Sequence, residues 1–172
     1  EIKAKIIDVI EKNREQIIEL VEEIYNNPEL GYKEEKTTQI MAEAFAELEI
    51  DFKEHQNLSG INALFQMENP GPKIAILGEL DAITCAEHPD SDPKTKAVHA
   101  CGHNIQLGVL YGIAAAFKKA GVESELAGSL NFITTPAEEF IELEYRDQLK
   151  EEGKINYFGG KQELLKRGLF DD

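Results

Sequence analysis

The sequence reads as an α/β domain in which helices pack on a sheet. Three observations predict this class. Apolar residues recur at helical spacing in several stretches, short apolar runs of strand length are bounded by turn residues, and the two patterns alternate along the chain. The 172 residues suit one domain able to bury a core, and 42% hydrophobic with 30% charged side chains is a globular balance rather than a disordered one.

The elements follow in order. Ile6, Ile10, Ile17, Leu20, Val21 and Ile24 form one apolar stripe, which predicts a helix stopped at Asn26-Asn27-Pro28, because proline disfavours helix at the residue before it. A second helix is expected from about Glu35 to Leu48, through Ile40, Met41, Ala44 and Phe45. Strands are expected at Phe52 to His55 and at Ile61 to Met67. The turn Asn69-Pro70-Gly71-Pro72 leads into Lys73 to Gly78, read as a buried strand. Thr84 to Lys96 is polar with two prolines and reads as a loop. From Asn104 to Ala120 the pattern is helical again, with Gly121 as its stop. Ser129 to Thr134 is another buried strand, followed by a loop opening at Pro136. Phe140 to Arg146 reads as a bulky, charged loop, and Lys161 to Arg167 as a short amphipathic helix. No closing element follows Leu169-Phe170-Asp171-Asp172, so the chain is expected to stop short of its domain's end.

The formal charge is −15, from 18 basic and 33 acidic side chains. Phosphate neutralisation needs lysine and arginine, so nucleic acid is disfavoured as a partner, and anionic membranes would be repelled. No apolar run approaches the roughly 20 residues of a bilayer span. The start, Glu1-Ile2-Lys3, lacks the apolar stretch of a signal peptide. With only Cys85 and Cys101, the expected compartment is the reducing cytoplasm. A bridge between them stays open, unless Cys101 is a metal-bound thiolate.

Three segments place chemistry-bearing residues beside the carboxyl ends of buried strands or a helix start, where ligands bind in open α/β sheets. They are Glu79-Leu80-Asp81, His99-Ala100-Cys101-Gly102-His103 and Glu138-Glu139. In an extended segment His99, Cys101 and His103 would face one point, and thiolate with imidazole suits zinc or a similar ion. Each segment alone has a bland reading: a buried cysteine beside a hydrogen-bonded histidine, charges ending a strand, or two solvated glutamates. Together they supply what hydrolysis at a metal needs, which is ligands, an open position for water, and a carboxylate to take the water's proton.

The strings Asn27-Pro28-Glu29-Leu30-Gly31, Gly78-Glu79-Leu80-Asp81-Ala82, His99 to Asn104, and Thr135-Pro136-Ala137-Glu138-Glu139 occur in the order seen in M20 metallopeptidases. The chain resembles in particular the branch that acts on N-acylated amino acids and on aminobenzoyl-glutamate. The resemblance implies an α/β/α layered, zinc-peptidase-like catalytic domain, of which residues 1–172 would be the N-terminal portion, without the lid and dimerisation domain. It implies that Cys101, His103 and Glu139 bind metal, zinc or manganese, with two ions in the complete enzyme. Glu138 would be the general base and Asp81 the aspartate that supports the metal site, so these two are the catalytic candidates. Glu79 stands where many relatives have a histidine ligand. Asn104 and Gln106 depart from the aspartate and histidine common at those places. His55 and His88 match no family ligand and read as surface histidines.

The expected function is metal-dependent hydrolysis of an amide bond in a small N-acyl amino acid or dipeptide-like substrate. The rivals are a truncated, noncatalytic chain that keeps the fold and weak metal binding, and a metal-free domain in which Cys101 merely packs. An unpaired sheet edge would invite a homo-oligomer.

Overall fold

The computed structural model describes residues 1–171. Helices α1 (Ile2–Lys12), α2 (Arg14–Tyr25) and α3 (Glu35–Glu47) precede strands β1 (Phe52–Glu54), β2 (Ile61–Gln66) and β3 (Asn69–Glu79). The ribbon β4 (Ile83–Thr84) and β5 (Ala97–Val98), helix α4 (His103–Ala120), strand β6 (Ala127–Thr135), and helices α5 (Leu143–Glu151) and α6 (Gly160–Lys166) follow. The main sheet has the order β1-β2-β6-β3, with β6 antiparallel to β2 and parallel to β3.

The periodicity of the first 25 residues holds, but as two helices. Asn13 breaks them at φ −100° and ψ 11°. Its side-chain amide donates to the Val9 carbonyl at 2.7 Å, the carbonyl its own backbone N–H also uses at 3.0 Å. Asparagine competes with the helix for acceptors in this way and so favours an interruption. Helix α3 runs as its periodicity predicts, and the Glu29 carboxylate receives the N–H groups of Lys36 and Thr37 in its first turn, at 2.9 and 2.7 Å. A negative group there meets free donors and the positive end of the helix dipole.

Alternation along β2 sends Ile61, Ala63 and Phe65 to the helices and leaves Leu64 and Gln66 exposed. The core joins them to Leu130 and Phe132 of β6, to Ile40, Met41 and Phe45 of α3, and to Leu107, Leu110 and Ala114 of α4. Phe45 and Phe132 meet with ring centroids 5.6 Å apart. Each such burial contributes about 1.5–3 kcal/mol. β6 is buried because it is central; β3 is not. The expected buried strand at Lys73 to Gly78 is an edge strand with Ile74 52% exposed, because it has a partner on one side only. It also starts earlier, at Asn69, with an irregularity before Lys73 that absorbs the proline-glycine turn.

Two further expectations change. Leu143–Glu151 is helical, so the charged loop is only its first few residues. His55 is buried rather than on the surface: a ring nitrogen lies 2.9 Å from the Thr134 carbonyl oxygen, and burial lowers its pKa against the pull of that bond. His88 is half-buried, and its Nδ1 accepts the Asp90 N–H at 3.2 Å. Cys85 and Cys101 are both free thiols. No helix among the described residues is long and apolar enough to cross a membrane.

Candidate metal and hydrolytic site

The parallel pairing of β3 with β6 puts their carboxyl ends at one sheet edge, with Glu79 opposite Thr135. Each strand then releases its chain into a short turn. Leu80 donates its N–H to Thr135 at 2.9 Å, and Asp81 follows, fully buried. After Pro136, Ala137 adopts φ 51°, a left-handed conformation unusual for a residue with a side chain. That turn aims the Glu138 and Glu139 N–H groups at the Asp81 carboxylate, which accepts them at 3.0 and 2.9 Å. The Ala137 N–H is held by Glu34, at 2.7 Å.

Helix α4 begins at the same edge. Gly102 takes φ 89°, a conformation that glycine reaches without steric cost, and His103 opens the helix. His103 Nδ1 donates to the Asp81 carbonyl oxygen at 2.8 Å. This leaves Nε2 facing the carboxylates, 3.0 Å from Glu79, 3.8 Å from Glu138 and 4.0 Å from Glu139. Metal-ligating histidines are commonly fixed through the other ring nitrogen in this manner. The Cys101 thiol lies 3.7 Å from the same Asp81 carbonyl.

Two groups of donor atoms therefore converge, each within 4.8 Å: Cys101, His103 and Glu139, and Glu79, His103 and Glu138. A sulfur, an imidazole nitrogen and carboxylate oxygens are the donor set of a divalent transition ion, so the residues fit such a group. Exposure divides them usefully. His103 and Asp81 are buried, whereas the Glu138 side chain is 36% exposed and can meet a substrate.

His99 does not join them. Residues 100 and 101 form a turn rather than an extended segment, and Gly102 donates back to His99 at 3.3 Å. The two-residue alternation that would align three side chains is lost. His99 points into buried surroundings, where desolvation and then the nearby His103 push its pKa down to about 4. For His103 burial acts downward too, but its hydrogen bonds to Asp81 and Cys101 outweigh it and raise the pKa to about 11. Burial and then the Glu138 charge raise the Glu139 pKa, against the opposing effect of His103.

Lys161 and Arg146 carried no signal in the sequence, and Gln106 only that of a departure from the family pattern. Lys161 binds Glu79 and lies 3.9 Å from Glu138. Gln106 donates to Glu79 at 2.9 Å. Arg146 is fully buried, donating to the Glu139 and Phe158 carbonyls beneath the rings of Tyr32 and Phe140. Charged side chains spread through polar stretches look alike until the chain folds. The Asn27 to Gly31 string has a role that only the structure reveals. Its Glu29 caps α3, its Glu29 carbonyl accepts Ala82 at 2.7 Å, and a Cβ at Gly31 would stand 2.9 Å from Ala137. It ties together the turns that carry the candidate ligands.

This fold is that of the M20 peptidases. A dinuclear metal-binding peptidase of that family from Bacillus subtilis superposes with a TM-score of 0.73 at 24% identity, over 94% of this chain and 41% of that one. By sequence the chain is related to carboxypeptidases and amidohydrolases. Thermostable carboxypeptidase 2 of Saccharolobus solfataricus is 30% identical over 139 residues, 78% of this chain and 35% of the relative. The N-acyl-L-amino acid amidohydrolase of Geobacillus stearothermophilus is 25% identical over 175 residues, 98% of this chain and 42% of the relative. The chain thus spans about two fifths or less of the length of these relatives. No protein-family profile matches it.

Proposed function

We propose that these residues are the N-terminal portion of an M20-type catalytic domain, and that the complete polypeptide hydrolyses amide bonds of N-acyl amino acids or aminobenzoyl-glutamate-like substrates. The observation that carries this reading is the convergence of Cys101, His103 and Glu139 beside the more exposed Glu138, all four tied to Asp81. Relatedness to an N-acyl amino acid amidohydrolase supports the substrate class.

In this reading Cys101, His103 and Glu139 would hold a divalent ion, zinc or manganese; the overlapping group Glu79, His103 and Glu138 shares the one free ring nitrogen of His103 and so is not a separate position. The ion, when bound, supplies Lewis-acid polarisation and acidifies water. The chain's own groups do the rest. Glu138 takes the proton of the attacking water and returns it to the leaving amine. Asp81 fixes the Glu138 and Glu139 backbone and, through its carbonyl, the His103 ring.

Glu138→Gln is expected to lower hydrolysis of N-acyl amino acids by about 10²–10⁴-fold while leaving metal content unchanged. Turnover is measured on the uninterrupted reading frame that contains these residues. Unchanged turnover in the variant would overturn the role of Glu138. A second reading is a noncatalytic chain that keeps weak metal binding. Stoichiometric metal without hydrolysis distinguishes it.

A further inference from the structure

The turn that carries the candidate ligand Glu139 is held from several directions, and Arg146 supplies one of them. At its start Glu34 takes the Ala137 N–H, and beyond that Asp81 takes the Glu138 and Glu139 N–H groups. The Glu139 carbonyl oxygen then accepts two donors, the Ile141 N–H at 2.9 Å and Nη2 of Arg146. The backbone of Glu139 is thus fixed at both its N–H and its carbonyl. Its side chain is left 30% exposed, with the carboxylate beside His103 and Cys101.

Arg146 is costly to bury. It is fully buried, and no carboxylate among the described residues forms an ion pair with it. Its guanidinium meets the Glu139 and Phe158 carbonyls and the rings of Tyr32 and Phe140, whose centroids lie 5.6 and 5.9 Å away. Nε has no hydrogen-bond partner among the described residues. A packed apolar side chain in place of a buried charge is often at least as stable, so stability alone does not account for an arginine here. What the guanidinium adds is a rigid fork of donors that joins two carbonyls. One belongs to Glu139. The other belongs to Phe158, two residues before the Gly160 N–H that reaches Ala137 at 3.1 Å. Gly31 keeps the space open, since a Cβ there would collide with Nη2 of Arg146.

We propose that Arg146 is the positioning residue of Glu139: by holding its carbonyl oxygen, the guanidinium fixes the direction from which the Glu139 carboxylate meets the ion shared with Cys101 and His103. Arg146 touches neither ion nor substrate and acts through the backbone. A ligand already in place does not have to be ordered when the ion arrives, and this raises affinity. The inference rests on the metal-site reading above, but concerns a residue outside the donor set.

The test measures Zn²⁺ affinity by competition with a chromophoric chelator, on the polypeptide of the uninterrupted reading frame that contains these residues. Arg146→Met keeps the aliphatic stem and removes the donors, and it is expected to weaken binding about 10–100-fold. In a Glu139→Gln background the same substitution is expected to change affinity by no more than about twofold, because the carboxylate that Arg146 positions is already gone. A general loosening of the fold would weaken both backgrounds alike. Urea unfolding establishes that each variant is folded, and Arg146→Gln takes the place of Arg146→Met in both backgrounds if the latter is not. Parent-like affinity in the folded variant, or an equal loss in both backgrounds, overturns the inference alone. Absence of Zn²⁺ binding in the parent overturns the metal-site reading and this inference with it.

Discussion

Asp81 sits at the meeting point of the three site segments. Its carboxylate holds the Glu138 and Glu139 N–H groups, and its carbonyl holds His103 and lies near Cys101. Both of its carboxylate oxygens therefore have hydrogen-bond partners, as a buried polar group requires. Glu34 is the contrasting case. It is fully buried and spends one oxygen on the Ala137 N–H, and burial, followed in size by the opposing effect of that bond, leaves its pKa raised to about 7. The unfolded carboxyl releases its proton near 4.5. Between these values the folded chain holds a proton that the unfolded chain has lost, so this contribution is present in full below 4.5 and is lost as pH rises to about 7. The predicted loss is about 3 kcal/mol. Glu34→Gln keeps an acceptor for Ala137 and removes the ionisation, so its urea-derived stability should be flatter over that window. An unchanged slope would assign the pH dependence to another group.

Among the elements, α6 shows a tertiary contact overriding local preference. Gly160 to alanine in a helix ordinarily stabilises by about 0.5–1 kcal/mol. Here the added Cβ would stand 1.8 Å from the Pro136 carbonyl oxygen, and overpacking of that kind costs about 1–3 kcal/mol. The clash is the larger effect, so Gly160→Ala should lower the urea midpoint, and by shifting the Pro136 turn should also weaken ion binding. A midpoint raised by the substitution would show that the turn yields freely. Element by element, periodicity was a sound guide where burial is one-sided. It located α3, α4, β2 and β6 closely, since their apolar residues face one core. It missed the Asn13 break and α5, because a side-chain hydrogen bond and a buried arginine leave no periodic trace.

At the scale of the whole molecule, the described helices of the core lie on one sheet face, while Leu64 on the other is 48% exposed. The edge strand β3 adds exposed Ile74 and Leu77, and Ile105 and Val109 of α4 stand beside Leu77. An open edge flanked by apolar side chains is a template for pairing with another chain. The isolated 172-residue chain should therefore self-associate with rising concentration in sedimentation velocity. Ile74→Lys, which places a charge on the edge, should shift it toward monomer. A parent chain that stays monomeric at all concentrations would show that the edge is protected.

The α/β class, most element positions and the candidate cysteine, histidine and carboxylates of the site were legible in the sequence. Motif order and apolar spacing are local properties, and they survive folding. Only the tertiary structure decided which of those residues share a point. The turn at residues 100 and 101 removes His99 from the cluster that Cys101 and His103 enter. The close approach of α6 brings Lys161 to Glu79 across 82 residues of sequence. The physical reason is the same in both cases: side-chain direction is set by backbone turns and by long-range packing, and neither is written in the spacing of residues along the chain.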